Sequence, residues 1–390
     1  MTGKNKIVIA AAGSGKTTYL VEQAVKIKGA RILVTTYTES NESEIRQRFF
    51  DLLGHVPANV VIMTWFSFLI THGVKPFQGG LFDFSVTGML LAQAQSGIRF
   101  RNSKGIAVPW PEEEIGKHFF DPDGRVFSDK LSKLVIRCND KSGGAVIDRL
   151  SRVFPYIFVD EVQDLAGYDL DILAALAGSS ARLLMVGDPR QVTYLTHHER
   201  RHGKYAEGGI TAFLQQELPR KVVVEIDQTS LNRSHRNSSA ICAVSSRLFP
   251  ALPASGACEC PGCRRGPSAD AGVFILKTAD YAHYLAKVRP MQLRDKITSS
   301  GVDKSSPVMN FGQSKGRGFD HVVILPTAPM QDWLVDHTVE LKAQTRAKFY
   351  VALTRARLSV AIVMDWGAGP LPPGFSLYER GRRRDVGHDG

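Results

Sequence analysis

The sequence predicts an α/β protein of doubly wound parallel sheets, divided over two or three domains, and three observations carry that prediction. Residues 7–21 read as a strand, a glycine loop and a helix start in succession. Apolar, β-branched runs recur along the chain with helical spacing between them. The 390 residues also exceed what one hydrophobic core comfortably organises.

The first observation carries the most chemistry. Ile7, Val8 and Ile9 form a strand-like run that stops at the small residues 10–15 (AAAGSG). Lys16 and Thr17 then open a segment in which Leu20, Val21, Ala24 and Val25 have helical spacing. Such a loop cradles phosphate. Gly13 and Gly15 let the backbone around Ala12, Ser14 and Thr18 close on phosphate oxygens. Lys16 reaches the outer phosphates, the Thr17 hydroxyl takes a place on Mg²⁺, and the helix dipole adds positive potential. Ala10 stands where the strict pattern has its first glycine. The expected ligand is a nucleoside triphosphate with Mg²⁺.

Composition narrows the partners. A hydrophobic share of 43% with mean hydropathy −0.11 reads as soluble and globular. A net charge of +11 and a pI near 9.4 favour a polyanion, nucleic acid first, since no basic amphipathic helix argues for a membrane surface. No apolar run is long enough to span a membrane, and no leader pattern precedes the first strand. The five cysteines, Cys138, Cys242, Cys258, Cys260 and Cys263, are an odd number. Without a secretory signal, that argues for a reducing, cytoplasmic setting and against a disulfide framework.

The remaining elements follow in order. Residues 31–36 (RILVTT) are a second buried strand, and 37–41 (YTESN) a polar turn with capping residues before a helix through Phe49 and Phe50. Residues 60–63 are a strand ending in 64–68 (TWFSF). Parallel strands present ligand loops at their C-terminal ends, so Thr36, Tyr37, Thr64 and Ser67 are expected to share an edge with the glycine loop. Hydroxyls and aromatics there suit nucleic-acid backbone contacts and base stacking. Trp65, Phe66 and Phe68 read equally as a stacking surface or as core. Periodicity weakens over residues 74–142, an expected insertion, before a helix at 144–153.

Residues 156–164 (YIFVDEVQD) are an apolar strand ending in acids. Asp160 is placed there to hold Mg²⁺ through water, and Glu161 to polarise the water that attacks the γ-phosphate. After a strand at 183–186, Gln191 in GDPRQ is a candidate γ-phosphate sensor. His197, His198, Glu199, Arg200, Arg201 and His202 read as a solvated or phosphate-facing loop rather than a metal site. Residues 221–226 (KVVVEI) are expected to open a second α/β unit. A helix through Ala240, Val244 and Leu248 follows, with strands at 272–276, 308–311, 321–325 and 358–364 and a helix at 342–354. The expected domains are 1–220, with an insertion about 74–142, and 221–366, with a shorter one about 250–305. Residues 367–390, with Arg380, Arg382, Arg383 and Arg384, read as a disordered basic tail.

Taken together, AAAGSGKTT, TTYTESN, TWFSF, VDEVQD, VGDPRQ, LNRSHRN, FGQSKGRGFD and FYVALTRAR form an ordered set from Ile7 to Val363. It resembles the superfamily-1 DNA helicases of the UvrD/Rep type, in a short form with reduced accessory domains. The resemblance implies two RecA-like P-loop NTPase domains, ATP in the cleft between them and single-stranded DNA across both. It assigns phosphate and Mg²⁺ binding to Lys16 and Thr17, metal to Asp160, water activation to Glu161 and coupling to Gln191. Arg236 and Arg355 would be arginine fingers. Thr36, Tyr37, Thr64, Trp65, Ser67, Tyr194 and Lys315 would contact DNA, with Gly316 near both DNA and nucleotide. The implied activity is ATP hydrolysis coupled to 3′–5′ movement on single-stranded DNA and at duplex junctions.

Departures from the family pattern matter as well. Too few residues precede the glycine loop for the usual adenine-reading glutamine. The family's Lys-Gly-Leu-Glu is Lys315-Gly316-Arg317-Gly318, and Gly312 stands for its histidine. Thr196 and His197 replace a Trp-Arg pair. The reduced accessory regions and basic tail motivate an alternative: a DNA-stimulated ATPase serving as a sensing or regulatory subunit, with a protein partner such as a nuclease. Cys258, Cys260 and Cys263 would bind zinc if a fourth ligand, Cys242 or His283, came close; otherwise they form a reduced loop.

Overall fold

The computed structural model describes residues 5–92, 94–193, 201–263, 271–367 and 369–380. They form two compact units: Met1–Val8, Lys16–Gly187 and Leu195–Asp227 make the first, and Ile9–Gly15, Asp188–Tyr194 and Gln228–Gly390 the second.

The first unit is built on a six-stranded sheet. Its strands are β1 (Asn5–Ile9), β2 (Ile32–Thr36), β3 (Val60–Thr64), β4 (Tyr156–Val159), β5 (Arg182–Gly187) and β6 (Val224–Asp227), in the order β6-β1-β5-β4-β2-β3. Ile32, Leu33, Val34, Ile157, Phe158, Leu184 and Met185 are all buried, so the inner strands bury both faces, as a helix-covered parallel sheet requires. Register sets the functional edge. Thr36 pairs with Thr64, and Thr35 with Val159, so β2, β3 and β4 end level. Helix α1 (Lys16–Val25) turns Leu20, Val21 and Ala24 inward. Helix α2 (Glu39–Leu53) starts at a Thr38 cap that accepts from the Asn41 N–H, and stops at Gly54, whose φ of 76° suits only glycine well.

Two expectations about chain organisation change here. The segment read as opening a second unit is β6, which pairs in parallel with β1 from Asn5–Val224 to Val8–Asp227. The strand expected at residues 60–63 extends to Thr64, which caps helix α3 (Trp65–Phe68). Within residues 74–142, short strands pair Gly88–Leu90 with Arg125–Phe127 and Ile98–Arg101 with Ala107–Pro109. The closing helix α4 (Leu131–Lys141) buries Leu131, Leu134, Val135 and Cys138 and packs on α5 (Tyr168–Gly178).

The second unit carries its own parallel sheet, from β7 (Gly272–Leu276), β8 (Met291–Arg294), β9 (Val308–Asn310), β10 (Phe319–Ile324), β11 (Ala356–Val363) and β12 (Ser376–Leu377). The order is β9-β8-β10-β11-β7-β12. Helices α6 (Ser239–Ser246) and α7 (Ala343–Leu353) cover it, with Ile241, Val244, Phe349, Tyr350 and Leu353 in the core. Two parallel six-stranded sheets match the fold class expected from the sequence. The expectation of a disordered tail from 367 does not hold through residue 380. Phe375 and Tyr378 are buried, β12 pairs with β7, and Arg380 Nε lies 2.5 Å from Asp280 Oδ1. Arg382, Arg383 and Arg384 lie outside the described residues.

Candidate nucleotide site and nucleic-acid edge

In the first unit, the end of β4 and the start of α1 supply the acids and the lysine. Lys16 Nζ lies 3.4 Å from Glu161 Oε1, and both side chains are largely buried. Thr17 donates its hydroxyl to Glu44 Oε1 at 3.3 Å. Glu161 adopts φ 52°, a left-handed conformation that costs a non-glycine residue energy and so points to a constrained position. Its N–H donates to Asp160 Oδ1 at 3.0 Å, and Gln163 Nε2 donates to its Oε2. The Asp160 N–H donates to the Thr35 carbonyl at 2.8 Å, fixing this turn to β2. Gly187 makes room for the arrangement, because a Cβ there would fall 2.3 Å from Gln163 Oε1.

Burial, then the neighbouring Glu161, pushes the Asp160 carboxyl well above the usual carboxylate range, with Lys16 opposing. Two carboxylates and a threonine hydroxyl are oxygen donors of the kind a hard divalent cation takes, and its charge would oppose that shift.

The second unit contains the glycine loop and the candidate arginines. Gly13 and Gly15 have φ 71° and 83°, the left-handed region glycine favours. Segment 231–237 runs along the loop. Leu231 O accepts from the Ala11 N–H at 2.7 Å, Ser234 Oγ donates to Ala12 O at 2.7 Å, and the His235 N–H donates to Gly13 O at 2.8 Å. A side chain at Gly13 would strike Arg236, whose Cβ lies 2.6 Å from the position of an added Cβ. Gly318 likewise leaves room beside Arg236 Nε, so the residue replacing the family's acid faces that guanidinium. The Ser14 hydroxyl is buried without a hydrogen-bond partner among the described residues, which fits an absent phosphate acceptor.

Gln191 and Arg355 meet in the same unit. Gln191 Nε2 donates to Asp188 Oδ2 at 2.7 Å, and Arg355 Nη2 donates to Gln191 Oε1 at 3.1 Å. Arg355 is 1% exposed, and its remaining donors reach the carbonyls of Val351 at 3.0 Å, Arg317 at 3.2 Å and Ser314 at 3.4 Å. Arg190 holds Asp188 from the other side at 2.7 Å and donates to Ala10 O at 3.0 Å. The network therefore links the loop backbone at Ala10 to Arg355 through three side chains, Arg190, Asp188 and Gln191. Asn237 ties its segment to the start of β11, donating to Thr354 O at 3.0 Å and Ala356 O at 2.7 Å.

Of the residues expected to contact nucleic acid, Thr36 and Thr64 are buried. Thr36 and Thr64 lie level at the strand ends, Ser67 is exposed, and Tyr37 packs edge-on against Phe66 at 5.4 Å. Trp65 is a correction to the stacking expectation. It is 1% exposed, and its indole N–H donates to buried Asp169 at 2.7 Å, so its ring belongs to the core, as do Phe66 and Phe68. In the second unit, Lys315 is half-buried, and Gly316 is exposed with φ 82°. Tyr194, His197, His198, Glu199 and Arg200 lie outside the described residues; Arg201 and His202 pair with Asp171.

Three contributors escaped the sequence reading. Glu44 sits in a helix of ordinary polar composition, and Asp169 in a helix first turn, where acids are common. His235 lies inside a motif already read for Arg236. It, and neither Cys242 nor His283, completes a cluster with Cys258, Cys260 and Cys263. No helix among the described residues is long and apolar enough to cross a membrane.

A glycine loop opening a helix on a parallel sheet, with a level acid pair, defines a P-loop NTPase. Residues 1–197, half of the chain, match the AAA_19 family, described as an AAA domain, and the chain belongs to that family. No curated protein matches the sequence. Two solved structures are similar in part. One is the crystal structure of Arterivirus nonstructural protein 10 (helicase), at 14% identity and TM-score 0.44, covering 92% of this chain and 59% of that one. The other is the complex of the same Arterivirus protein with DNA, at 13% identity and TM-score 0.41, covering 93% and 61%. The chain thus spans about three fifths of the length of these structures.

Proposed function

We propose that this chain is an ATP-driven motor on single-stranded DNA, of the UvrD/Rep helicase type, moving 3′–5′. The observation that carries the reading is the Gln191–Arg355 hydrogen bond of 3.1 Å, buried beside the Asp188–Arg190 pair. It is supported by the ordered motif set and by the net charge of +11.

When bound, Mg²⁺ and ATP supply the phosphoryl group and the counter-charge to it. Lys16 and the N–H groups from Gly13 to Thr18 would hold the β- and γ-phosphates, Ser14 would lend its buried hydroxyl, and Thr17 and Asp160 would hold the cation. Glu161 orients and deprotonates the attacking water, and Gln163 fixes its carboxylate. Arg236 and Arg355 stabilise the charge that spreads over the phosphoryl oxygens. Gln191 reads the occupancy of that position and passes it to the DNA-binding edge around Thr36, Tyr37, Thr64, Ser67 and Lys315.

Strand displacement on 3′-tailed, 5′-tailed and blunt duplexes tests the reading. Displacement of the 3′-tailed substrate alone is expected, and it is abolished in Lys16→Ala. Displacement from the 5′-tailed substrate alone overturns the polarity. Hydrolysis stimulated by DNA with no displacement on any substrate, together with a co-purifying protein, favours a regulatory ATPase subunit instead.

A further inference from the structure

One cluster in the second unit lies outside the residues proposed to touch the nucleotide. Cys258, Cys260, Cys263 and His235 bring their ligand atoms within 4.8 Å of one another. His235 Nδ1 lies 3.7 Å from Cys260 Sγ and 3.5 Å from Cys263 Sγ. The two sulfur–nitrogen separations are those of neighbouring ligands around one tetrahedral ion. Zinc bonds of about 2.3 Å to sulfur and about 2.0–2.1 Å to nitrogen place neighbouring ligands about 3.8 Å apart for two sulfurs and about 3.6 Å for sulfur and nitrogen. A thiolate-rich set with one imidazole in that geometry selects zinc over harder cations.

The backbone explains how residues so far apart in sequence converge. Arg233–Ser234 pairs in parallel with Gly256–Ala257, and the Cys258 N–H donates to Ser234 O at 2.9 Å. The chain then turns at Pro261–Cys263, where the Cys263 N–H donates to Cys260 O at 3.0 Å. This brings Cys260 and Cys263 back over His235. The two cysteines outside the cluster, Cys138 and Cys242, are buried on helices, so the three gathered thiols are not explained by packing.

We propose that Cys258, Cys260, Cys263 and His235 hold one zinc ion in a closed, four-ligand structural site that staples the 256–263 loop to the segment carrying Arg236. With every position filled by protein, the ion has no open site for substrate and acts on structure. The staple bears on the glycine loop because the His235 N–H is bonded to Gly13 O at 2.8 Å and Arg236 follows directly. The metal site stands on geometry; the positioning of Arg236 rests in addition on the role proposed for that arginine above.

The test is metal content of the purified full chain by mass spectrometry, with cobalt(II) substitution as a second readout. One zinc per chain is expected in the wild type and in Cys138→Ser. A drop of about tenfold or more is expected in the Cys260→Ser, Cys263→Ser double variant. Cobalt-loaded wild type should show thiolate charge-transfer and tetrahedral ligand-field bands, and His235→Cys should retain the metal with a shifted ligand-field band. Wild type that takes up neither metal, or that carries a Cys260–Cys263 disulfide instead, overturns the site; this arm needs no variant to fold. Full zinc and an unchanged cobalt spectrum in His235→Ala also overturn it. Chelator-stripped protein should lose DNA-stimulated ATPase while still binding nucleotide through Lys16. If stripping leaves hydrolysis intact, the positioning of Arg236 is refuted. A Lys16→Ala variant with full zinc and no ATPase change instead refutes the nucleotide assignment.

Discussion

In the proposed mechanism, Glu161 is the residue on which hydrolysis most directly depends. It holds a left-handed backbone, its carboxylate is shared between Lys16 and Gln163, and its N–H is committed to Asp160. Glu161→Gln should cut kcat by about 10²–10⁴-fold, the range for a general base, while nucleotide binding persists. Single-turnover hydrolysis alongside equilibrium nucleotide binding checks this; equal losses in both would mean the residue binds rather than activates. Gly187→Ala should act on the same group at one remove, because its added methyl displaces Gln163. A lower kcat with intact folding by circular dichroism is expected, and unchanged kcat would show that Gln163 does not position Glu161. Arg355→Lys keeps the charge but loses the fork that reaches Gln191 and three carbonyls. Loss of an arginine finger costs about 10³–10⁵-fold in kcat, and the lysine variant should fall towards that range. Lys16, Thr17, Asp160 and Glu161 were legible because strand, loop and acid pair keep a fixed order. Glu44 was not, since nothing local separates it from the other acids of its helix.

At the scale of elements, strand ends organise the chemistry and helix α3 anchors one of them. Trp65 closes the turn after β3 by donating to Asp169, which also accepts from Ser132. Trp65→Phe keeps most of the ring volume but removes that donor, and should destabilise the fold by about 1–3 kcal/mol with no change in single-stranded DNA affinity. Urea denaturation beside a binding titration checks it; a loss of affinity at unchanged stability would restore the stacking role. The inner strands other than β8 were readable because burial on both faces gives continuous apolar runs. Strand β8 escaped because its sequence is MQLR: Gln292 is fully buried, held by the Asp303 N–H at 3.0 Å and by donation to Asp303 O at 2.8 Å. Strand β6 was visible as a strand, but a run of valines carries no mark of the sheet it joins. His235 shows the same limit, since its thiol partners lie more than twenty residues downstream and only a parallel two-residue ladder brings them together.

Across the whole molecule, each unit holds one part of the proposed machinery. The first carries Lys16, Thr17, Asp160 and Glu161; the second carries Gly13, Gln191, Arg236 and Arg355. The charge of +11 should make DNA binding salt-dependent, with log affinity falling against log salt by roughly 0.7 for each phosphate neutralised on a single strand. A flat salt response would remove the electrostatic argument for nucleic acid. The most direct measurement is steady-state phosphate release from ATP with and without poly-dT, in wild type and in Lys16→Ala. Marked stimulation by poly-dT is expected in the wild type and none above background in the variant. Equal phosphate release with and without DNA, or a variant as active as the wild type, would contradict it.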